Sequence, residues 1–102
     1  MSGTKHDDGK PRMDLVPPLA LLEVGHVMRY GAEKYSAHNW RAGIDGSRYV
    51  AAVRHLLAYN SGENTDAESG LPPLAHAVAC CLMLMETDAS RDDRWRPVAS
   101  AE

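Results

Sequence analysis

The sequence predicts an all-α fold, a small helical bundle of three main helices completed by oligomerisation. Three observations predict it. Three segments space their apolar residues as helices do, no stretch alternates as a strand would, and the third segment is apolar on every side. A chain of 102 residues has room for one domain, and a single core of that size is marginal unless copies share apolar surface. A symmetric homo-oligomer, a dimer or tetramer, is therefore expected.

Residues 1–17 are polar and then punctuated by Pro11 and Pro17, which disfavours helix and predicts an extended N-terminal arm lying over the body. Residues 18–88 form the helical domain. Its first helix runs from Pro18, a favoured first-turn residue, to about Tyr35. Leu21, Val24, Val27, Met28, Ala32 and Tyr35 gather on one side, and Glu23, His26, Tyr30, Glu33 and Lys34 on the other. The stretch from Ser36 to Ser47 is rich in Gly, Asn and Ser, and Asp45 or Ser47 offers a cap for the next helix.

The second helix, about Arg48 to Asn60, sets Val50, Val53 and Leu57 on one face. Arg48, Ala51, Ala52, His55 and Tyr59 make a small, polar opposite face with room for a ligand. Ser61 to Gly70 has no helical period and carries Glu63, Asp66 and Glu68, an acidic loop. The third helix opens at Pro72 or Pro73 and runs to about Thr87, and its all-round apolarity predicts burial in a bundle or dimer. Residues 89–102 read as a flexible tail that Trp95 could anchor.

With 44% hydrophobic and 25% charged residues the composition is that of a folded soluble protein. A net charge of -3 without a basic stripe excludes a general binder of nucleic-acid backbone. The longest apolar run, Ala77 to Met85, is too short to span a bilayer, so no membrane contact and a cytoplasmic setting are expected. Adjacent Cys80 and Cys81 suit neither a disulfide nor a CxxC metal site and read as core.

His76 is the most informative single residue, because an imidazole on an apolar helix needs a partner. It is either a core histidine bonded to a backbone carbonyl or a ligand. His55, at the end of the second helix, and the loop carboxylates Glu63 and Asp66 come near it in sequence order. Oxygen-rich donors with a few imidazoles suit Mg²⁺ or Mn²⁺, two or three ions that would also hold phosphate oxygens. Glu63, Asp66 and His55 are the candidate catalytic groups, and Glu23, Glu63, Asp66 and His76 the candidate metal ligands. The plain alternative for the loop is a solvated acidic turn, and for Glu23 with His26 an ordinary surface face. Lys10, Arg12, Lys34 and Arg54 could meet phosphates. Trp40, preceded by Asn39, offers a ring face and an amide to a base, or else plugs the end of the bundle. No P-loop and no dinucleotide-binding glycine motif is present.

The segments GKPRMDLVPP (9–18), LLEVGHVMRYGAEKY (21–35), HNW (38–40), RHLLAY (54–59) and GENTDAESGLPPLAHA (62–77) resemble the phage dATP/dGTP diphosphohydrolase family, relatives of the MazG-like all-α nucleotide pyrophosphohydrolases. The resemblance covers about residues 9–86. It implies metal-dependent conversion of dGTP or dATP to the monophosphate, in phages that replace adenine with 2-aminoadenine. It also implies roles for Lys10, Glu23, Lys34, Asn39, Trp40, Arg54, His55, Glu63, Asp66 and His76, which fall on the family's motif positions. Relatives often carry a histidine where this chain has Pro73, and Glu23 with His26 matches the ExxE pair of MazG-like proteins imperfectly. Two other readings stay open on the residues alone: a nucleotide or metal sensor without turnover, and a helical interaction module.

Overall fold

The computed structural model describes residues 9–42 and 47–88. Asp45, Trp95, the first eight residues of the arm and the tail lie outside them. The described residues contain three α-helices, two short 3-10 turns and no strand.

The arm is not extended throughout. Met13–Leu15 closes a 3-10 turn, with Leu15 N–H donating to the Arg12 carbonyl at 3.0 Å. α1 then spans Pro18–Lys34, with Pro18 supplying the preset φ of a first turn and Leu21 N–H bonding to the Pro17 carbonyl. Its buried stripe is Val24 and Val27, with Met28 partly covered, while Leu21 and Tyr35 at the ends of the expected apolar side are exposed.

α2, Ser47–Asn60, turns the opposite way from what its branched residues suggest. Ala52 is buried and Ala51, His55 and Ala58 are half-buried, whereas Val50, Val53 and Leu57 face out. The neighbour explains this. α3, Pro73–Thr87, presents Ala75, Ala77, Ala79 and Cys80 inward, and two helices faced with small side chains can approach closely. The end of α2 is a Schellman motif: Gly62 (φ +95°) donates to the Tyr59 carbonyl at 3.0 Å, and Glu63 N–H reaches back to the Ala58 carbonyl at 3.1 Å.

α3 is the central element. It packs on both α1 and α2, most extensively on α2, while α1 and α2 hardly touch each other. Full burial of α3 does not hold, because two flanking helices cover two sides only. Leu74, Val78 and Leu82 stay partly exposed along the third, and Cys81 is exposed while Cys80 is buried. The core cluster is Val24, Val27, Ala75, Ala79 and Met83, with Met28, Trp40 and Leu71 packed on it. Among the described residues no large side chain is fully buried. Each of Val24, Val27 and Met83 contributes about 1.5–3 kcal/mol by leaving water, so the domain rests on few large contributions.

Candidate functional site

One cleft gathers the polar residues. It lies where the end of α1, the 3-10 turn Asn39–Ala42, the inner face of α2, the 61–72 loop and the inner face of α3 converge. The cleft is open to solvent and holds a cavity of about 200 Å³.

Ser69 is the hub of its polar wall. The Ser69 hydroxyl accepts from Leu71 N–H at 3.1 Å and lies 2.6 Å from His76 Nε2, so the expected partner of His76 is a loop side chain instead of a backbone carbonyl. The His76 ring stacks on His55 with centroids 4.6 Å apart and planes 19° from parallel, and meets the edge of Tyr30 at 6.0 Å. Burial lowers the pKa of both histidines. Arg54, and His76 whenever it is protonated, add to this at His55, while Asp66 and Glu68 partly oppose it at His76. Both imidazoles are therefore neutral at pH 7.

Asp66 folds its own loop. Its Oδ2 accepts from Glu68 N–H at 3.0 Å and Ser69 N–H at 2.9 Å, an Asx-type turn that Gly70 (φ +74°) closes by donating to the Asp66 carbonyl. Burial acts to raise the Asp66 pKa, but the backbone bonds from Ser69 and Glu68, with His76 nearby, outweigh it and hold the carboxyl below its ordinary value. Two residues on, Glu68 Oε2 accepts from Lys34 Nζ at 2.6 Å, which ties the loop to α1. That bond raises the Lys34 pKa and lowers that of Glu68. The Lys34 ammonium lies 5.8 Å from the Tyr30 ring centre and 5.3 Å from that of Tyr35. Beside the same carboxylate the Tyr30 hydroxyl is buried without a well-formed hydrogen bond, and Glu68 and burial raise its pKa.

Half-buried Arg48 and exposed Arg54, on the same helix as His55, bring positive charge to the cleft from α2. Trp40 packs its ring on the core, and the Arg41 guanidinium sits 4.4 Å from its centre. Trp40 is thus partly buried against the core, with one side of its ring taken up by Arg41. His38 holds a left-handed backbone (φ 63°) at the entry to this turn, a conformation that costs about 1 kcal/mol outside glycine.

Of the candidate residues, Lys34, Asn39, Trp40, Arg54, His55, Asp66 and His76 line this cleft. Lys10, Arg12, Glu23 and Glu63 do not. Arg12 makes a two-pronged bond to Asp14 at 2.9 and 2.7 Å, and that pairing raises its pKa. Glu23 is exposed on α1, and Glu63 is exposed where its backbone closes the end of α2. Ser69 belongs to the wall through its bond to His76, although sequence spacing does not single it out; the one available signal is the D-A-E-S-G order, in which an aspartate caps the amides two and three residues on.

Among the described residues no three histidine, cysteine, aspartate or glutamate side chains converge into a group able to hold a metal ion. Asp66 Oδ2 is taken by backbone amides, His76 Nε2 by Ser69 and Glu68 by Lys34. Among the described residues this donor set does not fit a resident divalent ion.

Residues 1–94 match the family described as dATP/dGTP diphosphohydrolase, N-terminal. The chain belongs to this family. A protein of Salmonella phage PMBT28 named dATP/dGTP diphosphohydrolase is 35% identical over 100 residues, covering 93% of this chain and 34% of that relative. The chain therefore spans about a third of the relative's length. No solved structure matches it. The family match takes in both the cleft-lining elements and the arm, so the matched region and the geometry describe the same unit. No helix among the described residues is long and apolar enough to cross a membrane.

Proposed function

We propose that the cleft binds a purine deoxynucleoside triphosphate, dGTP or dATP, as its Mg²⁺ or Mn²⁺ complex, and that the protein hydrolyses it to the monophosphate. The observation that carries this reading is that one cleft is lined both by the cations Lys34, Arg48 and Arg54 and by the stacked imidazoles of His55 and His76. The cations suit phosphate oxygens, with the arginines able to grip two at once. Asn39 and the rim of Trp40 offer an edge-reading amide and an apolar wall to the base.

A neutral His55 is suited to accept the proton of an attacking water. The water oxygen bonds to phosphorus, the bridging P–O bond breaks, and its electrons leave with the phosphate or pyrophosphate released. Asp66, by shaping the loop, positions Ser69 against His76. In a phage, the dGMP released would feed synthesis of 2-aminoadenine nucleotides. The exposed stripes Leu74, Val78, Leu82 and Val50, Val53, Leu57 support assembly into a homo-oligomer.

Binding without turnover is the second reading, favoured by the lack of a metal-holding group among the described residues. Incubating the chain with each deoxynucleoside triphosphate and Mg²⁺ or Mn²⁺, and resolving the products, separates the two. The expected result is dGMP or dAMP from the purines, lost in His55→Ala. Metal-dependent binding with no monophosphate from any substrate leaves only the second reading.

A further inference from the structure

We infer that Lys34 and Tyr30 form an anion seat that Glu68 fills in the ligand-free chain and that a phosphoryl group takes over when a polyphosphate binds. The inference rests on the nucleotide reading for its biological ligand, but its chemistry is that of any polyphosphate.

Four observations lead to it. Lys34 and Glu68 are 34 positions apart in sequence, yet their charges meet at 2.6 Å inside the wall of the cleft. Their side chains are 39% and 60% exposed, and an ion pair so open to water is favoured by about fivefold or less, so a multiply charged anion can replace the carboxylate. The ammonium also lies over the rings of Tyr30 and Tyr35, 5.8 and 5.3 Å from their centres, and these contacts do not involve Glu68. The Tyr30 hydroxyl, buried beside Glu68, keeps a donor that the planar carboxylate does not engage with good geometry. A tetrahedral phosphoryl group spreads three oxygens and can take the ammonium and the hydroxyl together. Arg48 and Arg54 line the same cleft and would receive the remaining phosphates, which the single carboxylate cannot reach.

Glu68 thus acts as an internal competitor, and its removal should tighten binding. Calorimetric titration of the full chain with tripolyphosphate, and separately with dGTP, tests this in three single and two double variants. Glu68→Gln should bind tripolyphosphate about three- to tenfold tighter, since both the competing pair and a like charge are removed. Lys34→Gln should bind more weakly, and adding Glu68→Gln to it should bring no gain. Tyr30→Phe should weaken binding both alone and combined with Glu68→Gln. Unchanged or weaker binding in Glu68→Gln overturns the seat. So does an equal gain in the Lys34→Gln background, which would mark a general charge effect, and so does tripolyphosphate binding to neither the parent chain nor Glu68→Gln. The predicted tripolyphosphate pattern without turnover of any nucleotide supports the seat and removes hydrolysis; turnover with no effect of Glu68→Gln does the reverse.

Discussion

Replacing Ser69 by alanine removes one oxygen that serves two elements. Its hydroxyl takes the Leu71 amide at 3.1 Å and partners His76 Nε2 at 2.6 Å. Losing the bond to the half-buried Leu71 amide costs about 0.5–1.5 kcal/mol, and leaving a buried imidazole nitrogen without a partner costs about 1–3 kcal/mol. The two together span about 1.5–4.5 kcal/mol, with a value of about 2–3 kcal/mol expected. For a domain of this size it lowers the melting temperature by about 8–24 °C, and in urea it moves the midpoint by about 1–2 M at unchanged slope. The decisive comparison is with Ser69→Ala/His76→Phe. That pair still lacks the Leu71 bond but no longer buries an unsatisfied nitrogen, and phenylalanine keeps a ring against His55. The double variant should therefore be more stable than Ser69→Ala alone by about 1 kcal/mol. A loss below about 0.5 kcal/mol in Ser69→Ala, or a double variant less stable than the single one, refutes Ser69 as the satisfying partner of His76.

Two further expectations concern stability. His55 and His76 both have pKa values below the ordinary 6.5, chiefly through burial, so the unfolded chain takes up protons before the folded one as pH falls. Stability should be full above pH 6.5 and decline as the pH drops from there through the folded-state values, and less steeply in His76→Phe; urea midpoints at several pH values would show it. Asp66, held below its ordinary 3.8, adds its own loss only in more acidic solution. Among the glycines, Gly62→Ala should cost about 1–2 kcal/mol, because φ is +95° and the open space around it offers no compensating contact. Gly25→Ala, in open space inside α1, should instead stabilise by about 0.5–1 kcal/mol, and thermal melts of the two variants should shift in opposite directions.

The helices were legible because proline marks their starts. Pro18 and Pro73 sit in the first turns of α1 and α3, and Gly62 follows α2, each where backbone chemistry alone would place it. His76 was legible as a site because a lone imidazole on an apolar helix demands an answer. The answer itself was hidden: a serine hydroxyl in a loop carries no periodicity, and only the fold brings it to the ring. The facing of α2 was hidden for a different reason. A hydrophobic pattern ranks its faces by apolarity, and Val50, Val53 and Leu57 rank first, but which face packs is decided by the partner, here a helix lined with alanine. Glu23 and Glu63 show the same limit for carboxylates, since nearness in motif order does not fix the rotation of a side chain about its helix or turn. The pairing of Lys34 with Glu68 joins segments 34 residues apart and has no trace in local spacing.

Because α1 and α2 each lean on α3 and barely on one another, α3 is the spine that places the two flanking helices. The width of the cleft is set by how each of them packs on α3, and the Lys34–Glu68 tie braces only α1, through the loop that follows α2. A ligand held at one end by Lys34 and at the other by Arg54 would be the missing third side of a triangle. It would lock the spacing between the flanking helices, so that occupancy and rigidity rise together and an empty domain is the softer one.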